Sequence, residues 1–269
     1  SYQSDLYFGT RDPDSGQLLR GMCCGKSFAL NSDERYKSRQ FPYMHDIIFE
    51  EFVTNKIYLR DECTRLQNFV STLFRKREGR VWMIANTISR VCPYFYEWGL
   101  NKIPYMEPGQ IDTYYIDDTK IAVEFAPSAP AKSRMFFGKA AKSIQGGQWE
   151  TNSYSSLPDD YAAYDIIYEM HLKTSYFEHL FLIQLLVDDD GDQVVFIQPV
   201  LKKVFPDLPM LSDEFNISRN VHRYLRRDHK AERTIARLFA ENKVCYSSNL
   251  TGSDFNGVIR NTPGIMTAH

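Results

Sequence analysis

Hydrophobic positions fall into short blocks whose spacing changes along the chain. Leu6-Tyr7-Phe8 runs into the turn Asp12-Pro13-Asp14-Ser15-Gly16, and Gln17-Leu18-Leu19-Arg20 runs out of it, which predicts a β-hairpin within residues 5–31. Ser32-Asp33-Glu34-Arg35 reads as a helix start or a polar loop. Residues 46–52 form an apolar strand that ends in two carboxylates, Glu50 and Glu51. Over 59–78, Leu66, Phe69, Val70, Leu73 and Phe74 recur at i, i+3, i+4, i+7 and i+8, which predicts an amphipathic helix with Gly79 as its C-cap. Residues 81–85 read as a second buried strand, with Asn86 and Thr87 at its carboxyl end. Strand, helix and strand with polar residues at both strand ends is the pattern of a parallel α/β sheet, and such sheets bind ligands beyond the carboxyl ends of their strands.

The pattern then loosens. Pro104, Pro108, Pro127 and Pro130 interrupt residues 104–145, leaving a short strand at 121–125. The Gly-, Ser- and Asp-rich stretch 145–160 is the best linker candidate, so the expected organisation is a first domain at 1–144, a linker at 145–165 and a second domain at 166–269. Strands at 180–187 and 193–200 flank the turn Asp188-Asp189-Asp190-Gly191-Asp192 as a hairpin. An arginine-rich helix is expected over 217–243, and the tail from 247 is rich in Ser, Asn and Gly.

Composition narrows the class. The chain has 269 residues, 43% apolar and 25% charged, enough for two domains or one large one with a sizeable core. The charge balance of 32 − 34 = −2 excludes a wholly basic nucleic-acid coat protein but not a local basic face. Apolar runs fall short of the ~18 residues of a membrane helix, so no membrane partner is expected. The chain starts at Ser1 without a signal pattern, so a processed or cut start is expected. Five cysteines (Cys23, Cys24, Cys63, Cys92 and Cys245) make an odd count with no CxxC pair, which favours reduced thiols over a zinc site. His222 and His229 are seven apart but have no third ligand nearby.

Gly21-Met22-Cys23-Cys24-Gly25-Lys26-Ser27 is one residue short of G-x4-G-K-[ST]. Its preceding segment reads as a hairpin arm, and the stretch to Glu50 is tight for a helix, a return and a strand. It is therefore read as a coincidental Gly-Lys-Ser. The paired acids suit Mg-nucleotide hydrolysis better: one carboxylate holds Mg²⁺ while the next, on the other side of the strand, orients the attacking water.

The order of motifs sharpens this. Phe41-Pro42, then Ile47 to Phe52, Thr72 to Arg77, Ala85-Asn86-Thr87 and Pro93-Tyr94-Phe95 resemble the DNA-packaging (encapsidation) ATPases of small podoviruses over roughly residues 41–98, and more weakly beyond. The resemblance implies a partial P-loop (ASCE-type) ATPase sheet, with the phosphate loop upstream of this chain, plus a C-terminal ribonuclease H-like, vestigial nuclease domain. It places Glu50 on the Walker B acid that binds Mg²⁺, where the family normally has Asp. Glu51 falls on the catalytic glutamate, Arg75 on an arginine finger that reaches a neighbour's nucleotide (Arg77 being its fallback), and Lys37 on a second basic group acting across that interface. Asn86 falls on the polar residue that senses the γ-phosphate, so Glu50, Glu51 and Asn86 form the nucleotide-binding set.

It further implies ATP and Mg²⁺ as cofactors, double-stranded viral DNA as substrate, and a homo-oligomeric ring, a pentamer by resemblance. The implied partners are the portal and prohead, with a packaging RNA as a further candidate. The implied location is the host cytoplasm, transiently on the prohead. Arg219, Arg223, Arg226, Lys230, Arg233 and Arg237, spaced at three or four, would form a phosphate-tracking stripe. A non-hydrolysing nucleic-acid-binding or structural homologue and a live metal-dependent nuclease remain alternatives. Strand 181–187 lacks the mid-strand acid that two-metal nucleases need.

Overall fold

A computed structural model describes residues 3–37, 39–54, 56–86, 89–127, 153–200, 207–214 and 220–269. The backbone divides into two compact units, Ser1–Glu50 with Leu59–Ile84, and Glu51–Tyr58 with Ala85–His269.

In the first unit, β1 (Gln3–Arg11) and β2 (Leu18–Phe28) pair antiparallel. The Asp12 carboxylate sets the turn between them by accepting from the amides of Asp14 (3.0 Å) and Ser15 (2.7 Å). After a 3-10 stretch at Leu30–Tyr36 come β3 (Asp46–Glu50), α1 (Glu62–Phe74) and β4 (Arg80–Ile84). The two strands are parallel, in register from Asp46 opposite Arg80 to Glu50 opposite Ile84. The α1 stripe supplies Phe69 and Leu73 to a small core with Tyr36 and Phe41. Phe28 joins it edge-on to Tyr36, Phe41 and Phe69, with ring centroids 5.1–5.4 Å apart.

The helix is shorter than its periodicity suggests, and Gly79 is not its cap. Arg75 caps α1 in the left-handed region (φ 46°), its amide donating to the Ser71 carbonyl at 2.9 Å, and Lys76 follows at φ 66°. Gly79 is small for a packing reason instead: a Cβ there would run into the Phe74 ring.

The second unit contains α2 (Pro93–Glu97) and the hairpin β5 (Ile111–Ile116)–β6 (Thr119–Glu124). Its main sheet comprises β7 (Asp165–Thr174), β8 (Phe177–Val187), β9 (Gln193–Pro199), β10 (Met210–Leu211), β11 (Val221–His222) and β12 (Val244–Tyr246). Two helices, α3 (Lys230–Ala240) and α4 (Asn249–Asn261), complete it. The strand order is β11-β10-β7-β8-β9-β12, with β7, β8 and β9 antiparallel and the outer strands parallel to their neighbours.

The continuous apolar run of β8 reflects a sheet covered on both faces. Phe181, Ile183 and Leu185 pack with Ile235 and Leu238 of α3 and Phe255 and Val258 of α4. Leu186 belongs to a second cluster with Phe196 and Cys245. Of the expected linker, 145–152 lie outside the described residues. The Ser155 carbonyl accepts from the Tyr246 amide at 2.8 Å. Val91, fully buried, also joins the main core, and a Cβ on Gly257 would lie 3.0 Å from its methyl. All five cysteines are free thiols.

The long basic helix expected over 217–243 is not present: α3 begins only at Lys230. Val221 and His222 pair as a strand, and a fully buried carboxylate, Glu232, organises the loop before the helix. Glu232 accepts from the Arg226 amide (2.6 Å), the Arg226 guanidinium (2.6 and 2.9 Å) and the Tyr168 hydroxyl (2.6 Å). Burial alone would push this carboxyl up, but the hydrogen bonds from Arg226 and Tyr168 outweigh it and hold the pKa below its ordinary value. Removing the carboxylate leaves the Tyr168 hydroxyl and the Arg226 amide without their acceptor beside a guanidinium that water still reaches, so Glu232→Ala is expected to cost about 1–3 kcal/mol in denaturant melts. Arg233→Ala, one residue along on the exposed side, should change stability by less than about 0.5 kcal/mol.

Asp254 on α4 is the opposite case. It is 8% exposed, and its nearest cation, Arg90, stands 3.9 Å away with its guanidinium over the Tyr105 ring. Burial raises its pKa to about 6, only partly offset by Arg90. A carboxyl with a raised folded-state pKa binds its proton more tightly when folded. Its contribution therefore favours the fold at low pH and fades as pH rises from about 4 to about 6. Asp254→Asn should thus gain about 1–3 kcal/mol at pH 7.5 relative to wild type and nothing near pH 3.5, read from urea melts at the two pH values.

Candidate functional site

The geometry of the βαβ unit decides which predicted site residues can work together. Strand β3 runs to Glu50, α1 returns antiparallel to it, and β4 restarts beside the beginning of β3, where the Arg80 amide donates to the His45 carbonyl at 2.9 Å. Glu50 and Glu51 therefore lie at the carboxyl end of the strand pair. Asn86 lies two residues beyond Ile84, the partner of Glu50. All three side chains are exposed, and Glu51 adopts the left-handed region at φ 57°. For a non-glycine residue this conformation is uncommon, and it collects where function demands a particular aim of the side chain.

Arg75 and Lys37 sit at the other end. Arg75 Nη2 donates to the backbone carbonyls of Lys37 (3.2 Å) and Arg39 (2.8 Å), so the two basic residues assigned to one interface are brought together. A five-residue strand advances roughly 13 Å between its first and last residues, and that length separates this basic end from the acidic one. Within the first unit the structure thus brings Arg75 to Lys37 and sets both apart from Glu50.

Arg77, the fallback finger, is engaged with the backbone. Its Nε donates to the Phe74 carbonyl (2.9 Å), Nη2 to those of Leu73 (2.8 Å) and Phe41 (2.6 Å), and Nη1 to that of Pro42. Nothing in its spacing announced this; the only signal was its position just past a helix end, where unpaired carbonyls accumulate.

Gly25, Lys26 and Ser27 are consecutive residues of β2, and Lys26 Nζ meets the Asp5 carboxylate across the hairpin at 2.5 Å. An extended ladder spends its amides on the partner strand, so this Gly-Lys-Ser does not wrap a phosphate. The oxygen donors of Glu50 and Glu51 do fit a hard cation such as Mg²⁺. Among the described residues no three His, Cys, Asp or Glu side chains converge on a common point. The acids at 188–192 build the β8–β9 turn, where the Asp188 carboxylate accepts from the Asp192 amide at 2.8 Å and Gly191 takes φ 85°.

The basic stripe is redistributed. Arg219 lies outside the described residues. Arg223 and Arg226 stand in the loop before α3, and Arg226 is committed to Glu232. Lys230, Arg233 and Arg237 are exposed along α3, at i, i+3 and i+7, and Arg227 is exposed beside them. Among the described residues no helix is long and apolar enough to cross a membrane.

Residues 17–162 match the family described as podovirus DNA encapsidation protein (Gp16). A DNA packaging protein of Bacillus phage B103 is 36% identical over 86 residues, covering 30% of this chain and 27% of that protein. DNA packaging proteins of Bacillus phages PZA and phi29 are each 33% identical over 81 residues, covering 29% of this chain and 24% of theirs. The match thus spans about a quarter of the length of these relatives. Among solved structures, a chain of the Phi-28 gp11 DNA packaging motor aligns with a TM-score of 0.44 at 15% identity, covering 97% of this chain and 77% of that one. A chain of the bacteriophage Phi-29 genome packaging motor assembly aligns at 0.44 and 16%, covering 90% and 74%. The family match takes in more than half of the sequence, and the chain belongs to the podovirus DNA encapsidation protein (Gp16) family.

Proposed function

We propose that this chain is part of a subunit of a ring motor that drives double-stranded viral DNA into the prohead at the expense of ATP. The observation that carries the reading is the separation of the acidic and basic ends of the βαβ unit. A guanidinium held at the amino end of the strands does not reach a phosphate held at their carboxyl end. On this reading Arg75 and Lys37 serve a nucleotide bound to a neighbouring copy, and the separation of the two ends supports it.

In this reading ATP with Mg²⁺, when bound, would supply the phosphoryl group and a cation that offsets its charge. Glu50 provides the carboxylate that faces the cation, directly or through water. Glu51, turned by its left-handed backbone, orients the attacking water and takes its proton. Asn86 stands at the end of β4 to sense the γ-phosphate. From the adjacent subunit, the Arg75 fork spreads over the charge that develops on the transferred group.

A wider parallel sheet is supported by the outer face of the strand pair, where Ile48, Trp82 and Ile84 are 64%, 52% and 56% exposed; parallel sheets occur almost only with both faces covered. In the second unit, the meander β9-β8-β7 extended by β10 and β11 parallel to β7 supports a ribonuclease H-like domain. Lys230, Arg233 and Arg237, joined by Arg223 and Arg227, offer the duplex a phosphate-tracking surface without reading its sequence. The portal, the prohead and a packaging RNA are the further partners of this reading, at work in the host cytoplasm.

Two predictions follow from these assignments. In the assembled motor, Glu51→Gln and Arg75→Ala should each lower ATP turnover by about 10³-fold. Rings mixed from the two variants should regain part of the turnover, because wherever a Glu51→Gln copy offers its Arg75 to an Arg75→Ala copy both groups are intact. No recovery in mixed rings would sink the trans arrangement. For DNA, replacing Lys230, Arg233 and Arg237 together with Ala should weaken duplex binding irrespective of sequence. It should also reduce the slope of log K against log salt by about 2–3, measured by fluorescence anisotropy between low and physiological salt.

A further inference from the structure

Among the arginines near the end of α1, the least exposed makes the most hydrogen bonds. Arg77 spends four of its five guanidinium N–H groups on backbone carbonyls: two on its own helix, Leu73 and Phe74, and two on the turn before β3, Phe41 and Pro42. The helix carbonyls belong to the last turn of α1, where no intrahelical donor remains and the helix dipole presents its negative end. A planar, permanently charged fork satisfies that end and the neighbouring turn at once. Arg75 adds an outer pair of bonds, to the carbonyls of Lys37 and Arg39. Residues 37, 39, 41 and 42 are thus each held by a carbonyl to the end of α1. The two staples are consecutive in depth: Arg77 holds residues 41–42, and Arg75 reaches across to 37 and 39.

We infer that Arg77 is a positioning residue, which fixes Phe41 and Pro42 against α1 and so sets the geometry of Lys37 and Arg75 toward the neighbouring subunit. This rests on the reading of Arg75 as a group acting in trans. Arg77 itself touches no nucleotide. Its side chain is consumed by the backbone, and its charge is balanced by carbonyl dipoles. What it contributes is a fixed relation between two cations carried on separate pieces of chain. Without the clamp, the turn at 41–42 and the left-handed residues Arg75 and Lys76 lose the bonds that hold them in register. The Arg75 fork then samples positions away from the one that meets the transferred phosphoryl group. Displacement of a catalytic group by about 1 Å costs about 10²-fold in rate.

The test is Arg77→Lys in the assembled motor. It keeps the charge but removes the fork, since an ammonium offers three donors from one point and does not span four carbonyls on two segments. Turnover per folded, nucleotide-bound subunit should fall about 10²-fold while KM for ATP changes by less than about 2-fold, the signature of a contact made only in the transition state. Hydrogen exchange should rise at the amides of Arg39 and Met44, which donate to Tyr36 and Phe41 within the stapled segment, and not in β7–β9. Arg75→Ala is run alongside. If it abolishes turnover while Arg77→Lys leaves kcat and exchange at wild-type values, the positioning role is overturned and the trans reading stands. If Arg77→Lys lowers only the folded fraction, with kcat per folded subunit unchanged, Arg77 is a stability residue and the inference is also overturned. If Arg75→Ala leaves turnover intact, the trans reading itself fails and takes the inference with it.

Discussion

The constraint on which the rest of this structure depends is the return path of a parallel strand pair. Two parallel neighbours require the chain to travel back the length of the first strand before the second can start. Here α1 makes that journey. Its C-terminus is consequently delivered to the end where β3 began, and whatever side chains sit at that helix end are separated from those at the strand tips. Glu50 and Glu51 close the upward strand, whereas Arg75 closes the downward helix. No choice of rotamer rejoins them. In a single subunit the two groups occupy opposite poles. On the proposed reading, the pole of one copy meets the opposite pole of the next.

That division also explains why a left-handed conformation occurs at each pole. Glu51 leaves β3 with φ 57°, and Arg75 and Lys76 leave α1 with φ 46° and 66°. A residue without a glycine's freedom holds such a conformation only where its surroundings over-determine it. At the helix end those surroundings are explicit. The guanidinium bonds of Arg75 and Arg77 compensate the cost of two successive left-handed residues, and the Arg75 amide still completes a bond to Ser71. The charged side chains there serve the backbone first, and one of them keeps part of its fork for something else.

How much was legible in the sequence follows from which interactions are local. The β3–α1–β4 order was readable because the apolar period changes from two to 3.6 and back, and because strand ends advertise themselves by polar residues. The helix end was misplaced because Gly79 suggests a cap. The real reason for that glycine is the Phe74 ring, a contact formed only once the loop folds back. Spacing also misled in the basic segment. Arginines at three and four apart imitate a helix face, but Arg226 answers to a buried glutamate six residues on, and charge periodicity without a matching apolar stripe does not commit a backbone. The acidic and basic poles share this limit. Motif order named their residues, yet their separation is a property of the crossover and carries no sequence signal of its own.

The strand tips have one more consequence for a motor. Both lead at once into the second unit. Glu51 is followed by Phe52, whose ring lies 5.9 Å from that of Tyr94 and 6.2 Å from that of Phe95. Beyond Asn86, Val91 is buried in the core that unites the large sheet with α3 and α4, where a Cβ on Gly257 would crowd its methyl at 3.0 Å. Close-packed interiors transmit displacement instead of absorbing it. On the proposed reading, Glu51 and Asn86 themselves belong to the second unit, so a change at either when phosphate is lost is felt within that unit, at Phe52 and at Val91. Val91 ties the segment after Asn86 to the core that packs α3 against the large sheet.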